Sequence, residues 1–184
     1  IAHALNDAGD HTTYFGKWHL DGWKERDGRA AMHIVPTDRR GGFRQWTGYD
    51  NNNSQWDSWV HGGEGEEAFH HRLDGYETDV LTDMLIDHIH ERANEPDEPF
   101  FAVLSAQPPH DPYLAPEEFM RAHNPATLPM RPNVPEIPRV QEQARRELAG
   151  AYAQIENLDW NLGRVRQALH ATRLEFDTYI IFFS

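Results

Sequence analysis

The sequence contains no cysteine, which excludes disulfides and thiolate metal sites within it. No stretch approaches the roughly 20 apolar residues that a membrane-crossing helix needs. Basic residues are scarce: 17 Lys and Arg stand against 30 Asp and Glu, for a formal net charge of -13. Nucleic acid is excluded as a partner, because phosphate binding wants clustered Lys and Arg. A small anionic substrate is compatible with this balance, since a pocket needs only a few cations placed locally. The chain also lacks a signal-peptide pattern at its start. It opens on Ile1 and passes straight into helical periodicity, and it closes in the apolar run Tyr179-Ile180-Ile181-Phe182-Phe183-Ser184. Natural domains rarely stop inside a buried strand, so the expectation is one incomplete domain over residues 1–184, truncated at both ends.

What is present is globular in character. A length of 184 residues, 39% hydrophobic and 11% aromatic, is enough for one domain with a sizeable core. Residues 1–8 read as a helix with Ile1, Leu5 and Ala8 on one face and Gly9 as its stop. Residues 12–15 are β-branched and aromatic and read as a strand that Gly16 breaks. Residues 20–76 show little periodicity and read as a long, ordered excursion, with Trp46, Trp56 and Trp59 arguing for order. Thr78 is placed as the cap of a helix running to about Arg92, with Leu81, Leu85, His88 and Ile89 as its apolar stripe. Residues 100–105 form a continuous apolar run of strand length, suited to burial on both faces. Most of the twelve prolines fall in residues 108–138, an irregular stretch with one short helix near residues 116–123. A long helix follows over residues 140–171, with Leu148, Tyr152, Ile155, Leu158, Leu162, Val165 and Leu169 recurring at steps of three and four. Gly150 and Gly163 weaken it and allow close packing. Residues 178–183 read as a third apolar strand. This alternation is an α/β signature.

In open α/β sheets, functional groups gather beyond the carboxyl ends of the strands. Two polar clusters sit there. Lys17 and His19 follow the first strand, and His110 follows the strand at residues 100–105. Strand ends lie side by side, so one fixed cation and two imidazoles are expected to converge. That set suits an anionic ester: the lysine neutralises non-bridging oxygens and a histidine moves a proton to the leaving group. Taken singly, each has a plainer reading, the lysine as a solvated surface residue and the histidine as a loop hydrogen-bonding group. The twelve histidines give no zinc pattern, since His70 and His71, or His88 and His90, do not share a helical face. Asn52-Asn53-Ser54 fits a glycosylation acceptor. Trp46, Trp56 and Trp59 fit sugar stacking or, more commonly, packing. Arg39 and Arg40 are placed on the surface by default.

Three blocks resemble the type I sulfatases of the alkaline phosphatase superfamily. The first is Leu5-Asn6-Asp7-Ala8-Gly9 leading to Gly16-Lys17-Trp18-His19-Leu20, which resembles that family's second signature. The second runs from Pro99-Phe100-Phe101 to Pro108-Pro109-His110-Asp111-Pro112-Tyr113. The third runs from Ala151-Tyr152 through Ile155-Glu156-Asn157-Leu158-Asp159 to Gly163 and is similar to the family's long helix. The resemblance implies a partial sulfatase fold: α/β, with a central, mostly parallel sheet flanked by helices and a long irregular insertion. It implies hydrolysis of sulfate esters, of small molecules or glycans. By the same resemblance Lys17 contacts the sulfate and the nucleophile, His19 hydrogen-bonds the nucleophile, and His110 contacts the sulfate or the leaving oxygen, making Lys17 and His110 substrate-binding as well as catalytic. It also implies calcium and a formylglycine made within a C/S-x-P-S/A-R motif. The sequence has no such motif, and none of the family's direct calcium ligands falls in it, so no metal ligand is assigned. The isolated 184-residue chain is expected to be inactive. Localisation by resemblance is periplasmic or secreted. Two alternatives stand beside this reading: a phosphodiesterase or phosphonate monoester hydrolase of the same superfamily, and a non-catalytic carbohydrate-binding domain.

Overall fold

The structure is a computed structural model, and it describes residues 1–23 and 29–183. A five-stranded sheet organises it. Helix α1 (Ala2–Ala8) ends at Gly9, whose left-handed φ of 98° lets its N–H bond back to the last turn. Strand β1 (His11–Lys17) is followed by β2 (Gln45–Tyr49), β3 (Trp59–Gly62) and β4 (Phe69–Arg72), then helix α2 (Glu77–Ala93), strand β5 (Phe100–Ser105), helix α3 (Glu117–Ala122) and the long helix α4 (Pro138–Ala171). The strand order is β4-β3-β2-β1-β5. β1 is parallel to both β2 and β5, while β3 is antiparallel to β2 and to β4. Four of the five strands therefore point one way, and the sheet is mostly parallel, as the sequence implied.

β1 lies between two parallel neighbours and is buried from Thr12 to Gly16. Its alternation divides the core. Phe15 faces α2 and α4 and packs with Leu85, Ile89, Val165, Ala168 and Leu169. Tyr14 faces the other way, against Val35 and Trp46. A further cluster of Tyr49, Val60, Leu73 and Leu81 joins β2 and β3 to α2.

Several sequence expectations are corrected. Gly16 does not break β1. It pairs with Ser105 on one side and Gly48 on the other, and a Cβ there would stand 2.2 Å from the Ser105 carbonyl oxygen. Glycine is what lets the three strands close up at this point. The excursion at residues 20–76 is not wholly irregular: it contributes β2, β3 and β4, and residues 24–28 of it lie outside the described residues. Thr78 is not a cap; Tyr76 occupies the N-cap of α2 without a side-chain bond. The stripe read on α4 is rotated. Tyr152 and Ile155 are exposed, and the buried line is Gly150, Ala153, Gln154, Asn157, Asn161, Val165, Ala168 and Leu169. Gly150 does allow close packing, with a Cβ position 2.1 Å from the Tyr113 carbonyl oxygen, but Gly163 has open space around it. Residues 178–183 form no strand, and Tyr179, Ile181 and Phe183 are exposed. An apolar run becomes a strand only where a neighbour takes its backbone hydrogen bonds, and no described strand does so. Ser184 lies outside the described residues. No described helix is long and apolar enough to cross a membrane.

Candidate active site

The carboxyl ends of β1, β2, β4 and β5 share one edge of the sheet, together with the start of α2. β1 delivers Lys17 to this edge. Its side chain is on the α2 face, the face of Phe15, and it is half-buried. Burial pushes its ammonium below the usual lysine range, while the carboxylates of Glu77, Asp111 and Asp50 pull in the opposite direction. None of the three is within ion-pair distance, and the ammonium makes no hydrogen bond or ion pair with any described residue. Among the described residues its counter-charges act on it only from a distance.

The turn beyond Lys17 is fixed by its backbone. Trp18 N–H donates to the Tyr49 carbonyl (2.7 Å) and His19 N–H to the Asp50 carbonyl (2.8 Å). The Tyr14 hydroxyl donates to the Lys17 carbonyl. The buried Asp50 carboxylate then accepts the N–H groups of Asp21 (2.9 Å) and Trp23 (3.2 Å). His19 is exposed and has a φ of 52°, in the left-handed region. A non-glycine residue held there costs about 1–3 kcal/mol and persists only where its surroundings impose it. Here the Asp50 cap and the two inter-strand bonds impose it. Trp18 packs edge-on against Tyr14 and Trp46.

β5 delivers the loop that carries His110. This loop is anchored from three directions. His110 N–H donates to the Gln107 carbonyl (3.2 Å). The His110 carbonyl accepts from Gln55 Nε2 (3.3 Å) and Gln154 Nε2 (3.2 Å). Gln154, wholly buried on α4, also reaches the carbonyls of Pro112 and Leu114. The His110 ring is half-exposed. Its Nδ1 lies 2.6 Å from the Asp111 carbonyl oxygen and 3.3 Å from Asp111 Oδ1, which leaves Nε2 facing outward for a ligand.

Beneath these groups lies Glu77, buried at the first turn of α2. Burial raises its carboxyl above the usual range, opposed by the Tyr49 hydroxyl and the Lys17 charge. Tyr49 Oη donates to Glu77 Oε1 at 2.6 Å. Lys17 ends β1 with His19 two residues on, and His110 lies in the loop after β5, the parallel neighbour of β1. Asp50, Glu77, Gln55 and Gln154 carry no motif that marks them in the sequence, although three amides in register at Gln154, Asn157 and Asn161 along one helical face are a readable signal. Asn157 and Asn161 both donate to Asp79 Oδ1, at 2.8 and 2.7 Å, tying α4 to α2.

Other candidates resolve differently. Arg40 is buried, contrary to its surface placement: it donates to the carbonyls of Val35 and Gly63 and lies 5.1 Å over the Trp46 ring. Arg39 pairs with Asp21 at 3.0 Å. Asn52 spends its side-chain amide on Ser54 and Ser58. Among the described residues no group of three or more His, Asp or Glu side chains is placed to hold a metal ion.

The fold is a mostly parallel α/β sheet that carries a half-buried lysine and two histidines at its carboxyl edge. The sequence matches the family model described as Sulfatase over residues 1–184, and the chain belongs to the sulfatase family. It is similar to an ulvan-active sulfatase of Formosa agariphila, 29% identical over the whole chain and 34% of that protein. The fold is similar to that of the solved yidJ sulfatase of Bacteroides fragilis, with a TM-score of 0.82 and 24% identity over 95% of this chain and 40% of that one. It is also similar to a protein solved with its substrate D-glucosamine-2-N,6-O-disulfate, with a TM-score of 0.72 and 14% identity over 93% of this chain and 46% of that one. The chain therefore spans about a third of the curated relative and less than half of each solved structure.

Proposed function

We propose that this chain supplies the anion-binding and proton-transfer groups of an enzyme that hydrolyses sulfate esters of glycans. The observation that carries the reading is Lys17: a desolvated ammonium at a strand end, with its counter-charges held at a distance. Such a cation suits the non-bridging oxygens of a sulfate, and low local polarity strengthens the attraction. His110, with Nδ1 engaged by Asp111, presents Nε2 to protonate the departing sugar oxygen. His19 follows two residues beyond Lys17 in a backbone conformation held by Asp50, and by the family resemblance it hydrogen-bonds the nucleophile. The two relatives named as acting on or binding ulvan and a sulfated glucosamine support a glycan as the alcohol component.

The family resemblance adds a formylglycine nucleophile and calcium in the full-length protein. The buried carboxylates here do not form a calcium cage: Asp50 is committed to two backbone N–H groups and Glu77 to Tyr49, whereas calcium takes six to eight oxygens. Calcium would polarise the sulfate when bound, and its ligands belong to residues beyond this set. The 184-residue chain alone is accordingly expected to show no turnover.

The test is sulfate release by the full-length protein from an O-sulfated saccharide, beside phosphate diesters and phosphonate monoesters. Preferred sulfate release supports the reading. Preferred diester or phosphonate cleavage assigns the phosphoesterase alternative, and glycan binding without any hydrolysis assigns the carbohydrate-binding one.

A further inference from the structure

Of the three tryptophans of the Trp46 to Trp59 stretch, Trp46 is buried against Tyr14 and Arg40, and Trp59 hides its indole N–H beside His70. Trp56 differs. It is 44% exposed and sits in the loop between β2 and β3, on the same sheet edge as Lys17 and His110. Its neighbour Gln55 bonds the His110 carbonyl, and the Gln55 carbonyl receives the Glu77 N–H at 2.8 Å. The ring rests against Tyr76, centroids 5.3 Å apart, and Tyr76 Oη donates to the Leu114 carbonyl at 3.0 Å. Trp56 is thereby braced on the same loop that carries His110.

Two guanidinium groups flank it. Arg72 donates to the Trp56 carbonyl (2.9 Å) and to Asp57 Oδ1 (2.8 Å), and Arg29 pairs with the other oxygen of the same carboxylate. Both arginine side chains remain half-exposed. Two cations share one anion here, in a chain whose formal net charge is -13. An open indole offers a flat apolar surface to the C–H face of a pyranose, and guanidinium N–H groups at its border suit carboxylate or sulfate oxygens.

We infer that Trp56, with Arg29 and Arg72, forms a subsite for an anionic pyranose adjoining the sugar whose sulfate meets Lys17. The inference rests on the hydrolase reading above for its substrate and adds a second, charged sugar to it. The ring stacks on Trp56, and its carboxylate or sulfate reaches the arginines. Asp57 holds both guanidiniums in place and keeps the patch from attracting small anions indiscriminately.

The test uses the full-length protein and its Trp56→Ala, Trp56→Phe and Arg29→Gln variants. Substrates are a small aryl sulfate and O-sulfated disaccharides whose second sugar is neutral, uronate-bearing or sulfated. For Trp56→Ala and Arg29→Gln, kcat/KM on the anionic disaccharides is expected to fall about tenfold, carried by KM, a loss equivalent to about 1.4 kcal/mol. The aryl sulfate is expected to be cleaved as by the parent, and Trp56→Phe to retain most of the preference. Comparison of the uronate and sulfate disaccharides identifies which anion the arginines read. For Arg29→Gln, equal losses on neutral and anionic disaccharides would overturn the inference, as would losses on the aryl sulfate, or no loss at all, for either variant. Calorimetric binding of the same disaccharides separates the two readings. If the parent cleaves nothing but binds anionic disaccharides in a Trp56-dependent manner, the subsite stands and the hydrolase reading falls.

Discussion

The two ends of β1 treat their ionisable groups oppositely. At the amino end, His11 and His88 lie with ring centroids 5.5 Å apart beside Glu98. The buried Arg92 binds Glu95 and Glu98, each at 2.9 Å, and Arg44 binds Glu98 at 2.8 Å. Each arginine there meets its counter-ion directly. At the carboxyl end Lys17 is desolvated, and its carboxylates act on it only through space. A closed network of contacts stabilises a fold; a cation held without contact is poised for a ligand, at some expense in stability. Substitutions at the amino end are therefore expected to change stability and leave catalysis alone, and those at the carboxyl end to do the reverse.

The largest expected effect tests where that division fails. Gly16→Ala places a Cβ 2.2 Å from the Ser105 carbonyl at a φ of 108°, in β1 immediately before Lys17. Strain and overpacking together cost about 3–5 kcal/mol, so both the unfolding midpoint and the activity of the full-length protein should collapse. Gly150→Ala is next. Its Cβ meets the Tyr113 carbonyl and pushes on the loop that Gln154 holds, costing about 1–3 kcal/mol. Denaturant titration and sulfate-release kinetics should show both a lower midpoint and a lower kcat. Arg92→Ala at the amino end unpairs Glu95 and leaves Glu98 to Arg44 and His11. Because both partners are partly solvated, the loss is about 1–2 kcal/mol, read as a shifted midpoint with kcat unchanged.

The smallest effect is a pH dependence. Burial, His11 and Arg92 lower the His88 imidazole from 6.5 to about 4, and burial and Arg40 lower that of His61 to about 3. Between 6.5 and 4 the unfolded chain therefore binds more protons at His88 than the folded chain, so stability is lost as pH falls through that window. Thermal midpoints measured across the window should drop in the parent and drop less in His88→Phe. An equal drop in both would assign the acid sensitivity elsewhere.

The fold is legible where the sequence carries strong periodicity. The strand at residues 100–105, the stripe of α2 and the extent of α4 are readable from apolar spacing alone, and Lys17, His19 and His110 stand out because each lies just past the carboxyl end of a strand. β2, β3 and β4 escape notice because they are four or five residues long and rich in Gly, His and Trp, with too few alternations to register. The face of α4 is hidden for a different reason. Its central buried positions are Gln154, Asn157 and Asn161, polar residues that enter the core because each has a specific partner. The run at residues 178–183 has strand character, but pairing, a tertiary property, decides whether a strand forms. Trp56 cannot be told from Trp46 and Trp59 by sequence, since exposure alone separates them.

The most direct measurement crosses two substitutions with two readouts in the full-length protein: Lys17→Ala and Arg92→Ala, each measured for sulfate-ester kcat/KM and for unfolding midpoint. Lys17→Ala is expected to lower kcat/KM by about 10²- to 10³-fold with a midpoint unchanged or raised, while Arg92→Ala lowers the midpoint and spares kcat/KM. Unaltered kcat/KM in Lys17→Ala, or a lowered midpoint as its main effect, would contradict the assignment of the carboxyl end of β1 as the sulfate-binding edge.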